Sequence, residues 1–260
     1  MKVPELPCSK HFRMGITMKN IQIREDIDQH MKELKAWLAE TDDFPPEEMA
    51  AFFARRLDDY EEHMSIWKPA YERFAQLFPI ACKNVLDLGC GTGLELDEIW
   101  KLCPDVCVTG VDLSDEMLGA LCKKHESRYQ NGQLKTVCQS YFDYEMGENE
   151  WDTMISFESL HHFFPDEKLG LYQKIYQGLK PGGLFLLGDY IACCEEEETL
   201  LRNMYLEKRK RFGVPQEQFI HIDIPLALEH EVRILEQAGF SEVDVEDSIN
   251  GATILVAQKC

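Results

Sequence analysis

Apolar residues change their spacing along this chain, and the change divides it in two. From residue 21 to about 40 they recur at helical intervals, with Ile23, Ile27, Met31, Leu34 and Leu38 on one face, which predicts an amphipathic helix. The run Asp42-Asp43-Phe44-Pro45-Pro46-Glu47-Glu48 reads as a second helix start, with an acidic cap, proline in the first turn and carboxylates near the positive end of the dipole. That helix should pass through Phe52, Phe53 and Leu57 towards Tyr60, and another should cover about 65 to 78 and stop at Pro79. From residue 84 short continuous apolar runs replace the helical spacing: 84 to 88, 106 to 111, 134 to 138, 153 to 157 and 184 to 188. Helical patterns at 94 to 102, 115 to 128 and 167 to 179 lie between most of them. Apolar strands alternating with helices predict a parallel sheet covered on both faces. Helices at about 196 to 212 and 225 to 238 follow, the second ending at Gly239. Val243 to Val245 and Thr253 to Ala257 lie close enough to form a final antiparallel pair. Residues 1 to 20 lack clear periodicity and read as loosely ordered, and Met18 is a second candidate start.

A length of 260 residues, 45% apolar, suits one α/β domain with extra helices. No stretch approaches the roughly 20 apolar residues of a membrane helix, and no secretory signal pattern opens the chain, so a cytoplasmic protein without a membrane partner is expected. The ten cysteines include no CxxC pair. Cys82, Cys103, Cys107, Cys122 and Cys138 fall inside predicted elements and read as small, reduced, buried hydrophobes, while adjacent Cys193 and Cys194 are poorly placed for a bridge or a zinc site. A net charge of −20 repels phosphate backbones, so no nucleic-acid partner is expected.

The first strand runs into Asp87-Leu88-Gly89-Cys90-Gly91-Thr92-Gly93. Three glycines at alternate positions after an apolar strand let the backbone turn sharply and approach a ligand. The spacing is not the dinucleotide G-x-G-x-x-G, because Leu94 follows Gly93, and no G-K-[ST] is present. Asp87 would repel a pyrophosphate but suits an ammonium group. Asp112 ends the second strand about 19 residues past Gly93, where an acid can accept both ribose hydroxyls. Negative charge at both ends with no phosphate clamp fits S-adenosylmethionine: an amino acid, a sulfonium, a ribose and an adenine.

The segment VLDLGCGTG resembles motif I of class I S-adenosylmethionine-dependent methyltransferases. VTGVDLS is similar to the segment ending in the ribose-binding acid, WDTMISFESLHHF to the fourth strand and its loop, and LKPGGLFLL to the entry of the fifth strand. The resemblance covers about 60 to 260. FFARRLDDYEEHM and HIDIPLALEHEVRILEQAGF also resemble the N-terminal helix and the lid and last helix of a bacterial small-molecule subgroup. It implies a three-layer Rossmann-like methyltransferase fold of class α/β: a seven-stranded, mostly parallel sheet with the last strand antiparallel. An N-terminal helical cap would span 1–80, and the methyltransferase domain 81–260 would carry a helical lid insertion at about 190–223. It also implies a cofactor site of Asp87, Gly89, Cys90, Gly91, Gly93, Asp112, Leu113 and Phe157, with Tyr60 from a helix folded over the cofactor. The third strand of this family often ends in an Asp that reads adenine. Here Ser140 stands in that place, followed by Tyr141 and Phe142, with Asp143 as a further substitute.

His161 and His162 follow the fourth strand, where substrate and methyl donor meet in similar proteins. They read either as base or substrate clamp or as packed loop histidines, and Glu158 shares both readings. Tyr190 lies just past the fifth strand, and with His221 it completes the catalytic expectation. A metal site of His221, Asp223, Glu229 and His230 is the weaker reading, because Glu229 and His230 are neighbours on a helix and diverge, so no metal is expected. Ligands bind beyond the carboxyl ends of the strands, and methyl transfer needs water excluded. The roof should therefore come from about 52 to 67 and about 190 to 223, whose Tyr205, Phe212, Phe219 and His221 offer either an acceptor surface or a dimer contact. The expected reaction transfers the methyl group by in-line displacement to a small-molecule acceptor, leaving S-adenosylhomocysteine, in a monomer or homodimer. The alternatives are a non-catalytic S-adenosylmethionine sensor, or an NAD-dependent oxidoreductase, which would lack its dinucleotide glycine spacing.

Overall fold

The computed structural model describes residues 21–260. The readings for residues 1–20 and Met18 lie outside the described residues. Seven strands form one sheet: β1 (Asn84–Leu88), β2 (Cys107–Asp112), β3 (Leu134–Cys138), β4 (Trp151–Phe157), β5 (Leu179–Tyr190), β6 (Glu242–Ile249) and β7 (Ala252–Gln258). Their order is β3-β2-β1-β4-β5-β7-β6. β1 to β5 pair in parallel, and β7 runs antiparallel to both β5 and β6. This is the Rossmann-like methyltransferase arrangement, and its chain reversal between β1 and β4 opens a crevice at the carboxyl ends of the strands.

Alternate strand residues feed two cores. Leu86, Leu88, Met154, Phe185 and Leu187 pack on one face with α7 (Pro165–Gly178) and α9 (Leu228–Ala238). Val85, Ile155 and Leu186 pack on the other with α3 (Lys68–Leu77), α4 (Leu94–Leu102) and α5 (Asp115–Lys124). Continuous apolar runs were required because both faces are covered.

Most boundaries shift by a few residues, and four of the differences have an identifiable cause. The first helix, α1 (Ile27–Thr41), begins after Ile23, which instead packs beside the sheet core. The second, α2 (Met49–Met64), begins after the Asp-Pro run, capped by the Glu48 carboxylate on the amides of Ala50 and Ala51. Residues 47–49 stay extended because they pair with 219–221: Met49 N–H donates to the Phe219 carbonyl at 3.0 Å, and His221 N–H to the Glu47 carbonyl at 2.9 Å. The predicted helix over 115–128 breaks at His125, which leaves a short α6 (Glu126–Gln130). The His125 ring turns inward to meet Asp97 at 2.7 Å. β5 starts five residues earlier than its apolar core, since Leu179 already pairs with Trp151 across a register shift.

The remaining long helix, α8 (Glu195–Arg211), is tied to α1. Lys208 Nζ donates to the carbonyls of Thr41 and Phe44 at 2.6 and 2.8 Å, and His30 Nε2 meets Glu197 at 2.6 Å. All nine cysteines among the described residues are free thiols. Cys90 and Cys103 are buried, but Cys107, the first residue of β2, and Cys138, the last of β3, are exposed, so the buried-hydrophobe reading fails for these two. Among the described residues, no helix is long and apolar enough to cross a membrane.

Candidate active site

The glycine loop lies where β1 empties into the crevice, and its three glycines do different work. All have positive φ: +77° at Gly89, +47° at Gly91 and +71° at Gly93. A Cβ on Gly89 would lie 2.0 Å from Ser159 Oγ, and one on Gly93 would lie 2.6 Å from Leu121 Cδ1, so these two serve close packing. A Cβ on Gly91 would meet only the Tyr60 hydroxyl, at 3.7 Å, and would project into open space. Cys90 turns its thiol into the core, where it fills the room left by Gly110; a Cβ there would lie 2.6 Å from Cys90 Sγ.

Gly91 faces a cavity of about 580 Å³, counting space open to solvent. Its walls include Gly89, Asp112, Leu113, Tyr141 and Phe157, with Tyr60 reaching in from α2. Asp112 is held by two backbone donors: its Oδ2 accepts from Gly91 N–H and its Oδ1 from Ser114 N–H, both at 2.9 Å. Burial raises its pKa, and those bonds oppose the rise. Tyr141 turns its hydroxyl to Ser159 at 3.2 Å and lays its ring along the wall.

A smaller recess of about 210 Å³ continues past Tyr60, Gly89 and Phe157 behind the loop. Glu95 lines it from the first turn of α4, and Asp87 lies fully buried beside Glu95. Among the described residues, neither Asp87 oxygen nor Glu95 Oε1 has a hydrogen-bond partner beyond the proton the two acids can share with each other. Burial pushes the Glu95 carboxyl up to about 7. Burial and then the Glu95 charge push Asp87 well above the usual carboxylate range. Two buried acids side by side have no cation bonded to them among the described residues. Tyr60 senses the same field: burial and then the charges of Glu95, Asp112 and Glu158 raise its phenol pKa. An amino-acid ammonium and a sulfonium both fit such a region.

A second cavity, about 1080 Å³ with its solvent-open part, adjoins the first. The two share Phe53, Tyr60, Glu158 and His162. Its other walls are Phe52, Arg56 and Trp67 on the α2 side, and His161, His221 and Asp223 opposite. The extended pairing of 47–49 with 219–221 sets His221 flat against Phe52, with ring centroids 3.4 Å apart. Burial lowers the His221 pKa to about 4.

His161 is buried with Nδ1 2.6 Å from Asp189 Oδ1 and Nε2 3.6 Å from Asp223 Oδ1. Burial disfavours its charge, but Asp189 and Asp223 together outweigh burial and hold the pKa well above the usual imidazole value. His162 is held well below it, by burial and then by the His161 charge. Burial lifts the Glu158 carboxyl to about 8 against the opposing pull of His161. Glu158 also has a positive φ, +50°, and its Oε1 has no hydrogen-bond partner among the described residues.

Several expected residues lie elsewhere. Tyr190 lines neither chamber: its hydroxyl donates to Glu197, which already draws in His30 and the Cys193 amide. Asp87 and Cys90 sit behind the loop rather than on the larger wall. Ser140 is buried and uses its Oγ to accept from Phe142 N–H at 3.3 Å, and Asp143 is exposed. Tyr205 packs on Phe164, Phe219 packs between Phe142 and Phe163, and Phe212 is partly exposed beyond α8, so of those four aromatics only His221 reaches the chamber. The set His221, Asp223, Glu229 and His230 does not converge: His230 Nδ1 is taken by Glu198 at 2.7 Å, and the four form no compact group among the described residues. Glu95, Ser159, Asp189 and Arg56 escaped the sequence reading. Glu95 had one signal, an acid at the inward position of a helix's first turn, and Asp189 another, an acid inside an apolar strand.

Residues 85–183 match the family model described as a methyltransferase domain. The chain is 22% identical over 184 residues to the carboxy-S-adenosyl-L-methionine synthase of Nautilia profundicola, covering 68% of this chain and 77% of that one. An O-methyltransferase family protein from Burkholderia thailandensis superposes with a TM-score of 0.63 at 18% identity, over 89% of this chain and 70% of its own. Human N-acetylserotonin methyltransferase, solved with S-adenosylmethionine, superposes with a TM-score of 0.59 at 20% identity, over 81% and 56%. These two likenesses are of fold.

Proposed function

We propose that this chain, a class I S-adenosylmethionine-dependent methyltransferase, carries methyl to a small-molecule acceptor seated in the second chamber. One observation carries the reading: the chamber containing Gly91 and Asp112 adjoins an aromatic, histidine-rich chamber across Phe53, Tyr60, Glu158 and His162. Bound S-adenosylmethionine supplies an activated methyl group on a cationic sulfur. The residues here fit it: Asp112 for the ribose hydroxyls, Gly91 for close backbone approach, and the buried Glu95 and Asp87 for the ammonium. Leu113, Tyr141 and Phe157 would flank the adenosine.

The protein's own work is alignment and exclusion of water. Tyr60 and Phe53 close the roof between the chambers. Phe52 and His221 present a stacked flat wall to an acceptor ring. Glu158, with a pKa near 8 and a free oxygen, is placed to take the acceptor's proton. His161, His162 and Asp223 hold the acceptor's polar end. The relative named a carboxy-S-adenosyl-L-methionine synthase gives a second reading, in which Arg56 and the imidazoles receive a carboxylate-bearing co-substrate and the product is a modified S-adenosylmethionine.

Mass spectrometry of turnover mixtures decides between them. S-adenosylhomocysteine together with an acceptor heavier by one methylene supports methyl transfer, and a heavier S-adenosylmethionine supports the second reading. Glu158→Gln should cut turnover by about 100-fold or more, the usual contribution of a positioned base, while S-adenosylmethionine affinity stays within a factor of about three. Unchanged turnover in that variant would remove Glu158 from its role.

A further inference from the structure

We propose that His161, His162 and Asp223 form a binding site for one divalent first-row transition-metal ion, whose open positions face the second chamber and take an acceptor through oxygen. The first argument is spacing. Asp223 Oδ1 lies 3.6 Å from His161 Nε2 and 3.4 Å from His162 Nδ1, whose present partner is the Ile222 carbonyl at 3.3 Å, so an ion there would replace the proton on Nδ1. Both separations are long for a charge-assisted hydrogen bond, which closes to about 2.7–2.9 Å. They match the edge of a tetrahedron around an ion with bonds of about 2.0–2.2 Å, which is roughly 3.3–3.6 Å. One ligand atom from each of the three residues lies within 4.8 Å of the other two.

The second argument is the support behind the ligands. A metal-bound imidazole characteristically donates its other N–H to a carboxylate, which fixes the tautomer and aims the lone pair. His161 does this in the core: Nδ1 meets Asp189 Oδ1 at 2.6 Å, leaving Nε2 directed towards Asp223. Asp189 is fully buried, with Lys168 Nζ 3.9 Å from its other oxygen. The third argument is the free donor beside the cluster. Glu158 Oε1 is buried without a partner among the described residues, its backbone is held at positive φ, and Glu158, His161 and Asp189 form a second group of the same compactness. Strain at a non-glycine residue persists only where surrounding structure enforces it.

The donor set chooses the ion. Two imidazoles and a carboxylate with open positions suit zinc(II) or iron(II), whereas magnesium and calcium prefer oxygen throughout. Access is built in, because the imidazoles are buried while the Asp223 side chain is 41% exposed towards the chamber. The acceptor part rests on the two-chamber reading above; the metal part does not.

The rival arrangement is a His161 imidazolium clamped between Asp189 and Asp223 with no ion. Cobalt(II) titration of the full chain separates the two, using acetohydroxamate as a chelating probe. The proposal expects one cobalt per chain with visible d–d absorption, and a spectral change when acetohydroxamate is added. His161→Ala and Asp223→Asn should abolish uptake, and Asp189→Asn should weaken it by about 10- to 100-fold. His63→Ala, which alters the chamber wall beside Trp67 but not the cluster, should leave uptake intact. Circular dichroism on each variant checks folding, and Asp223→Asn, nearly isosteric and partly exposed, serves if His161→Ala does not fold. Absence of stoichiometric uptake by the wild-type chain, or equal uptake by Asp223→Asn, overturns the metal site. Uptake with no response to acetohydroxamate overturns the open position. S-adenosylmethionine affinity, measured on the same metal-free sample, reports separately on the methyltransferase reading.

Discussion

Replacing Gly91 with alanine should separate folding from cofactor binding. At φ +47° a Cβ costs about 1–2 kcal/mol, the usual penalty of the left-handed region. No steric term adds to it, since the nearest protein atom is the Tyr60 hydroxyl at 3.7 Å. For a chain of this length that is a fall of roughly 2–8 °C in the melting temperature. S-adenosylmethionine at 100 times its dissociation constant should stabilise the wild type by about 2.7 kcal/mol, roughly 5–11 °C. The variant should lose most of that gain, because the new methyl occupies space on the chamber wall. Gly89→Ala is the contrasting case. Its Cβ would meet Ser159 Oγ at 2.0 Å and Ser159 Cβ at 2.6 Å, so the loop after β4 must move and the unliganded protein should melt well below Gly91→Ala. Differential scanning fluorimetry with and without ligand reads both. A Gly91→Ala protein that keeps the full ligand shift, or melts as low as Gly89→Ala, refutes the assignment of the loop.

Asp112→Asn keeps the shape but offers an amide N–H towards the Gly91 N–H, so calorimetry should show S-adenosylmethionine binding weakened by about 10- to 100-fold, as expected for a hydrogen bond to a charged group. Glu95→Gln should raise the melting temperature of the unliganded protein at pH 8 but not at pH 4. The folded carboxyl, with its pKa raised from 4.5 to about 7, keeps a proton that the unfolded chain releases, so its destabilising effect grows from pH 4.5 to about 7 and is constant above. The same variant should bind S-adenosylmethionine more weakly, which titration calorimetry checks. Glu231→Ala removes the carboxylate 2.5 Å from the buried Lys168 ammonium, leaving it only Asp189 at 3.9 Å, and leaves the Tyr172 hydroxyl without its acceptor. Chemical denaturation should show a loss of about 3–5 kcal/mol, the usual cost of breaking a buried pair.

The sheet was legible because its signals are local. Continuous apolar runs at 84–88 and 134–138 are strands at those same residues, and the glycine spacing after Leu88 placed the crevice. What escaped was set by distant partners. The break at His125 depends on Asp97, and the late start of α2 depends on pairing with residues 219–221. Tyr190, expected just past the fifth strand, is its last residue, but strand alternation alone does not say which face a terminal side chain serves, and Glu197 takes it. The roof was expected from two segments, and the second chamber draws on both. The sequence pattern assigned the lining to the aromatics Tyr205, Phe212 and Phe219, however, and these pack elsewhere. Glu95 and Asp189 each carried one local signal, an inward acid in a first helical turn and an acid inside an apolar strand, but it was their burial that singled them out.

A crystal structure with S-adenosylhomocysteine tests the central claim most directly. The account predicts the ribose hydroxyls on Asp112, the amino group in the recess beside Glu95, and the sulfur facing the boundary formed by Tyr60, Glu158 and His162. A ligand whose sulfur points away from that boundary, or whose ribose lies outside reach of Asp112, would contradict it.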